Sequence, residues 1–370
     1  MQTDLKFMRR ALLLASRGYT HPNPMVGCVI VKDGVVVGEG WHPAAGEPHA
    51  EVFALRAAGE LARGADVYVT LEPCCHHGRT PPCTQALITA GVKRVIVGTR
   101  DADVRVKDQG LEVLAAAGIE VTSGVLHDKC REINRAFFHF HEIGRPYVTL
   151  KCAMSLDGRI ATHSGKSQWI TGQAARTYVH EIRARSGAVI AGINTLLKDD
   201  ARLDARLPNN VQVRQPLRVV VDSHLRLPAS SAAVRLAREN PETHPLLIAT
   251  TRNPPDAGVA ALAGAGVEIA ALSSDFEGRV GLHGLMALLA ERKVASVFCE
   301  GGAQLAASLL IDKLANEAMF FMAPMIIGGR SSPGPVGGIG VESIAAAWHT
   351  GPVRVRKFGS DLLLQAKISY

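Results

Sequence analysis

The chain reads as an α/β protein in two domains, and three observations carry that reading. Short apolar runs rich in β-branched residues alternate with amphipathic helical stretches along the whole length. The alternation breaks once, at Gly144-Arg145-Pro146, and then restarts. A length of 370 residues is long for one domain and comfortable for two. The expected division is 1–145 and 146–370, with a mixed sheet covered by helices on both faces in the first part.

The elements follow in order. Positions 4–17 form a helix stopped by Gly18. Val26 to Val31 and Val35 to Val37 flank Asp33-Gly34, the turn chemistry of a two-residue hairpin. Pro48 suits a first helical position, where its missing N–H would be unpaired anyway. Val52, Leu55, Ala58 and Leu61 then recur at helical spacing up to Gly64. Val67-Tyr68-Val69-Thr70-Leu71 is a buried strand ending at Glu72-Pro73, and a helix runs from Thr84 to Gly91. Strands near Val95 and Ile119 enclose a helix near Leu111, and a helical stretch at 130–141 leads to the junction. Beyond it, strands are expected at 147–152, 188–191, 217–221, 246–250, 267–270 and 294–299. Helices fall at 174–185 and 303–309, and segments 317–322 and 362–368 close the sheet antiparallel. Segments 209–215, 253–258 and 331–340 read as exposed loops.

Composition narrows the function. With 47% hydrophobic and 20% charged residues, the chain is ordinary for a soluble enzyme, and no apolar run reaches membrane-spanning length. The first eight residues start an amphipathic helix and lack the continuous apolar centre of a signal peptide. Seven cysteines, an odd number, argue against a disulfide framework and for the cytoplasm. A net charge of +7 suits anionic partners, whether a phosphorylated small molecule, a dinucleotide or nucleic acid. No Lys/Arg-rich run or basic stripe interleaved with aromatic residues favours nucleic acid.

The chemistry concentrates at His49-Ala50-Glu51, followed by Pro73-Cys74 and Cys83. One His and two thiolates make a zinc set with the fourth position left to water, as a catalytic rather than structural site requires. The Glu two residues after the His is the proton carrier of zinc deaminases. On a regular helix residues 49 and 51 point about 200° apart, so they converge only if His49 stands half outside the first turn. Cys75, adjacent to Cys74, diverges from the metal and reads as a packed thiol. His77 stands three after Cys74, and a His-His-Cys site would also satisfy zinc. A structural zinc with no activity is the plainer reading, but it gives Glu51 no task.

Farther on, Val297-Phe298-Cys299-Glu300-Gly301-Gly302 and the helix after it form a strand, a double glycine and a helix N-terminus. Such a turn admits a close phosphate, or is simply a tight connection. No Gly-x-Gly-x-x-Gly follows a strand, which disfavours a Rossmann domain.

Taken together, the series Thr20-His21-Pro22-Asn23-Pro24-Met25-Val26-Gly27, Pro48-His49-Ala50-Glu51 and the 71–83 segment closely resembles the bifunctional deaminase–reductases of bacterial riboflavin biosynthesis. The resemblance continues through Lys151, Ser155-Leu156-Asp157-Gly158-Arg159, Ser167-Gln168-Trp169-Ile170-Thr171 and Glu300-Gly301-Gly302, nearly the full length. It implies a cytidine-deaminase-like three-layer α/β/α first domain and a dihydrofolate-reductase-like second domain. It also implies zinc and NADPH as cofactors and a phosphorylated ribosylaminopyrimidine as substrate. A homo-oligomer is a further family-level expectation.

Carried over by resemblance, His49, Cys74 and Cys83 match zinc ligands, Glu51 the proton carrier and Asn23 a pocket residue. Ala153, Trp169, Thr195, Asp199, Ser223, Gly302, Ala303, Gln304, Leu305, Ala306, Ala307 and Ser308 match cofactor positions. Ser167, Arg183, Leu203, Arg206 and Glu300 match substrate positions. Arg183 offers a bidentate fork to a ribose phosphate, and Arg206 a second clamp, unless both are solvated surface residues. Glu300 bonds substrate or caps the Gly-Gly turn. Trp169 stacks on nicotinamide or fills core, and Lys151 polarises the sugar carbonyl or forms a structural ion pair. One departure stands out: Asp199-Asp200-Ala201 replaces the family's Asp-Asp-Pro, which is expected to loosen the loop of Leu203 and Arg206. The rival class is a nucleic-acid base deaminase with an appended binding domain.

Overall fold

The computed structural model describes residues 2–76, 81–103 and 108–370. The chain divides into two compact units, Met1–Gly144 and Arg145–Tyr370. Among the described residues no helix is long and apolar enough to cross a membrane.

In the first unit, helix α1 (Gln2–Ala15) precedes the hairpin β1 (Gly27–Lys32) and β2 (Val35–Trp41). Helix α2 (Ala50–Ala58), β3 (Asp66–Leu71), α3 (Cys83–Ala90), β4 (Arg94–Thr99), α4 (Gln109–Ala116) and β5 (Glu120–Ser123) follow, then α5 (His127–Ile133) and α6 (Arg135–Ile143). The sheet order is β2-β1-β3-β4-β5, antiparallel at the hairpin side and parallel from β3 onward. Alternate residues of the strands bury on opposite faces, as a period of two dictates. Val67, Val69, Val95 and Val97 pack with Ala50, Ala54 and Leu87 on one face. Tyr68 and Ile96 pack with Phe7, Met8 and Cys130 on the other. The unit is the expected three-layer α/β/α.

Details differ from the expectation. The hairpin strand runs to Trp41, because Gly38 and Gly40 let α2 settle on it: a Cβ at either would run into the Ala54 or Ala50 carbonyl. The first helix after the hairpin begins at Ala50, not at Pro48, with His49 as N-cap at φ −74° and ψ 165°. It ends at Ala58, where Gly59 takes φ 52°, and a 3₁₀ turn Gly59–Ala62 covers the rest of the span assigned up to Gly64. The stretch read as one helix at 130–141 is two helices broken at Asn134. Its buried amide accepts from Met25 N (2.8 Å) and donates to Met25 O (2.8 Å), pinning the segment ahead of β1.

The second unit begins with β6 (Tyr147–Ser155), α7 (Gln173–Arg185), β7 (Ala188–Gly192), α8 (Ile193–Asp199), β8 (Leu217–Val221) and α9 (Ala232–Glu239). It continues with β9 (Leu246–Thr251), α10 (Asp256–Leu262), β10 (Val267–Leu272), α11 (Leu282–Glu291), β11 (Ser296–Cys299), α12 (Ala303–Ile311) and β12 (Ala315–Ala323). The short β13 (His349–Thr350), β14 (Arg354–Phe358) and β15 (Asp361–Ser369) complete it. The order β10-β9-β8-β7-β11-β6-β12-β15-β13, with β14 on β15, is parallel from β10 to β12. β15 then closes antiparallel on β12, as the paired apolar segments imply. Two cores flank this sheet, one under α11 and α12 and one under α7 to α10.

The segment expected as a loop at 253–258 is partly helical, because α10 begins at Asp256. Helices α8, α9 and α11 were not anticipated. α11 is apolar nearly all round, and Leu282, Leu285, Met286 and Leu289 are buried, so it lacks the polar face that marks a surface helix.

Candidate functional site

In the first unit two strand-to-helix junctions meet. His49 caps α2, Cys74 follows β3 in the loop, and Cys83 is the first residue of α3. His49 Nδ1 lies 3.2 Å from Cys83 Sγ and 3.5 Å from Cys74 Sγ, and the candidate ligand atoms of the three residues fall within 4.8 Å of one another. Cys83 N–H points at Cys74 Sγ at 3.4 Å. Hydrogen bonding from Cys83, then from His49, holds the Cys74 thiol near 4, well below the ordinary range. A soft, partly deprotonated N/S/S set of this size fits zinc.

Glu51 lies beside the set, 3% exposed. Burial raises its carboxyl to about 7, and its Oε2 has no hydrogen-bond partner among the described residues. A buried oxygen without a partner is costly unless something absent from the chain alone completes it. Asn23 Nδ2 is 3.1 Å from His42 Nε2, and His42 Nδ1 is 3.1 Å from the Pro48 carbonyl. A carbonyl only accepts, so His42 carries its proton on Nδ1 and Nε2 accepts from Asn23. The Asn23 amide is thereby oriented. Cys75 is turned toward Gln109 Oε1 at 3.8 Å, away from the set. His77, weighed as an alternative ligand, lies outside the described residues.

In the second unit the residues gather at the carboxyl ends of the parallel strands. Glu300, just past β11, is paired bidentately with Arg183 of α7, the second bond Nη2–Oε2 being 2.9 Å, and stands 3.7 Å from Lys151 Nζ on β6. The Arg183 fork expected to face a phosphate is thus turned onto Glu300, and its Nη1 donates to Asp204 O at 2.9 Å. The Arg183 and Lys151 charges, against the cost of burial, hold the Glu300 carboxyl near 2. Arg206 is half-exposed, paired with Asp204, and its backbone N–H donates to His180 Nδ1 at 3.1 Å. Leu203 is buried, its side chain packed in the core and its backbone at φ 59°.

Ser167 donates to Asp199 at 2.8 Å, tying the segment before α7 to the end of α8. Trp169 is 68% exposed under the Arg176 guanidinium, which excludes the core-filling reading. Gly302 caps α12 with no side-chain cap, and a Cβ there would lie 3.5 Å from Thr195 Oγ1. The free N–H groups of α12, the small turn and Thr195 form a cradle that fits a pyrophosphate. Of the α12 residues, Leu305, Ala306 and Ala307 bury their side chains in the core, whereas Ala303, Gln304 and Ser308 keep surface. Ala153 on β6 and Ser223 after β8 lie at the same sheet edge.

Comparisons with known proteins follow this division. A family model described as the cytidine and deoxycytidylate deaminase zinc-binding region matches residues 1–99, and one described as the RibD C-terminal domain matches residues 146–364. The riboflavin biosynthesis protein RibD of Escherichia coli is 41% identical over 385 residues, which span 98% of each chain. That of Aquifex aeolicus is 40% identical over 366 residues, again 98% of each. The chain belongs to the RibD family. Acinetobacter baumannii RibD superposes with a TM-score of 0.86 at 40% identity, covering 100% of this chain and 99% of its own. The Thermotoga maritima diaminohydroxyphosphoribosylaminopyrimidine deaminase/5-amino-6-(5-phosphoribosylamino)uracil reductase superposes at 0.82 with 33% identity, covering 99% of each. As a RibD chain it is a two-activity enzyme of riboflavin biosynthesis, with a zinc-binding deaminase domain and an NADPH-dependent reductase domain of dihydrofolate-reductase-like fold.

Several residues of this RibD chain organise the sites without having been anticipated. Buried Glu72, next to Pro73-Cys74, accepts backbone N–H groups from Asp101 (3.2 Å), Asp108 (3.1 Å) and Gly110 (3.0 Å), anchoring the zinc-side loop to β4 and α4. A charge closing the apolar run 67–71 was the available signal. Arg218, fully buried in β8, donates to Arg202 O (3.2 Å), Ala233 O (3.0 Å) and His244 O, bracing the loop of Leu203 and Arg206. His180 and Asp204 complete that loop's support.

Proposed function

We propose that the chain deaminates 2,5-diamino-6-ribosylamino-4(3H)-pyrimidinone 5′-phosphate in its first unit. Its second unit then reduces the ribosyl group of 5-amino-6-(5-phosphoribosylamino)uracil to ribityl. The observation that carries this reading is buried Glu51, with an unpartnered oxygen, beside His49, Cys74 and Cys83. A structural metal site has no use for such a carboxyl.

His49, Cys74 and Cys83 would hold the zinc, which when bound supplies the Lewis acidity that makes water a nucleophile near neutral pH. Glu51 takes a proton from the attacking water and delivers it to the departing 2-amino nitrogen, so ammonia leaves and a carbonyl replaces the amidine carbon–nitrogen bond. Asn23, oriented by His42, presents its carbonyl oxygen to the pyrimidine edge. In the second unit NADPH, when bound, supplies the hydride. Arg206, half-exposed, meets the sugar phosphate, and Ser167 lies beside it. Lys151 faces the reacting sugar, with Glu300 fixing its ammonium. Trp169, Thr195, Asp199, Ser223 and the α12 N-terminus line the dinucleotide. The setting is the cytoplasm, and the working form a homo-oligomer.

The test is a coupled assay on the purified chain, supplying the diaminopyrimidinone phosphate with and without NADPH and following ammonia and 340 nm absorbance separately. Ammonia without cofactor, followed by NADPH oxidation when it is added, is the expected result. Oxidation of NADPH before any ammonia appears would overturn the order, and no ammonia at all would overturn the first assignment.

A further inference from the structure

Glu300, Gly301 and Gly302 follow β11, Gly192 ends β7, and Asp222 and Ser223 follow β8; across the sheet the carboxyl ends run β8, β7, β11, β6. A dinucleotide laid along this edge is oriented by its two ends. The nicotinamide must reach the sugar near Lys151 and Glu300, on β6 and β11. The pyrophosphate falls at the Gly301-Gly302 turn under Thr195. The adenosine is then left at the end of β8.

Arg226 stands there. It is exposed, and its Nη2 donates to Asn194 Oδ1 at 3.2 Å, the residue beside Thr195. Its Nε lies 3.9 Å from Asp222 Oδ1. Asp222 is itself fully buried, and its Oδ2 accepts Leu227 N–H at 2.8 Å. The carboxylate therefore aligns the arginine from below without covering it, and most of the five guanidinium donors remain for a ligand.

The competing cations are placed less well. Arg279 is taken by Asp275 (3.0 Å) and Glu277 (2.7 Å), and Arg252 follows β9, one strand farther out. In dinucleotide sites an acid that reaches the adenosine ribose favours the 2′-hydroxyl, whereas an arginine accommodates the 2′-phosphate. Here the acid is buried and the arginine lies over it.

We propose that Arg226 reads the 2′-phosphate of the dinucleotide and so sets the preference for NADPH over NADH; the inference rests on the reductase reading above. A planar guanidinium paired with a phosphate dianion gives charge-assisted, directional bonds. Their loss corresponds to roughly a ten- to hundredfold change in affinity.

The test is calorimetric binding of adenosine 2′,5′-bisphosphate and 5′-AMP to the full chain, a readout independent of turnover. The native chain prefers the bisphosphate, Arg226→Gln loses that preference while keeping its 5′-AMP affinity, and Arg252→Gln keeps the preference. Retained preference in Arg226→Gln, or its loss in Arg252→Gln instead, overturns the assignment. Equal weakening of both ligands in Arg226→Gln also overturns it, because the side chain would then shape the pocket rather than read the phosphate. Absence of any preference in the native chain overturns the NADPH reading along with it.

Discussion

The two sites are built by different means. In the first unit the metal set and its proton carrier come from residues 49–83, on two strand-to-helix junctions, and each side chain does one chemical task. In the second unit the residues span Lys151 to Glu300 and act as a charge network: Lys151 and Arg183 on Glu300, Arg206 on Asp204, His180 on the backbone of Arg206. Single-residue loss in the first site should stop chemistry and spare the fold, whereas loss in the second should disturb the fold with the chemistry.

The largest expected effect sharpens that contrast. Glu51→Gln should lower deamination by about 10²- to 10⁴-fold. Zinc content and NADPH oxidation on the deaminated intermediate should match the native chain, and retained deamination would break the comparison at its clearest point. Next comes Glu300→Gln, which leaves Arg183 and Lys151 facing each other across a buried gap. The second unit should lose about 3–5 kcal/mol in urea unfolding. Ammonia release should be untouched, and an unaltered midpoint would show that the network carries no stability.

A smaller effect is tied to pH. Burial, then the Arg183 and Arg206 charges, depresses His180 from 6.5 to about 4. The unfolded chain therefore binds this proton more readily than the folded one. Stability present above pH 6.5 should fall as pH drops toward 4, and His180→Gln should flatten that slope relative to the native chain. The smallest effect concerns Ala201. Proline there should add about 0.4–1 kcal/mol if the backbone accepts it. Asp200, however, caps α8 at φ 43° and ψ 47°, so a loss of stability on Ala201→Pro would mean that this left-handed residue cannot precede proline.

What could be read from the sequence follows the same divide. His49, Glu51, Cys74 and Cys83 announce themselves because few residue types bind zinc and their spacing survives in one dimension. The strands were legible because apolar runs such as 67–71 and 217–221 have few other uses. Arg218 and His180 were not, since each acts on a backbone group 15 to 26 residues away that only the folded chain brings near. Asn134 was missed for the same reason: an amide in a helical stretch gives no hint that it will grip Met25, 109 positions earlier. The family resemblance supplied the reductase residues as positions. It did not reveal that the Arg183 fork is closed on Glu300.

The one-sided placement of the second unit's chemistry has a practical consequence. Its parallel strands all deliver their reactive residues at one edge, so the turns feeding the other edge are spare. Gly264, just ahead of β10, has φ 69° and open space where a side chain would stand. A short peptide tag spliced there would extend from the edge opposite Glu300 and Lys151 and leave both reductase binding and turnover unchanged.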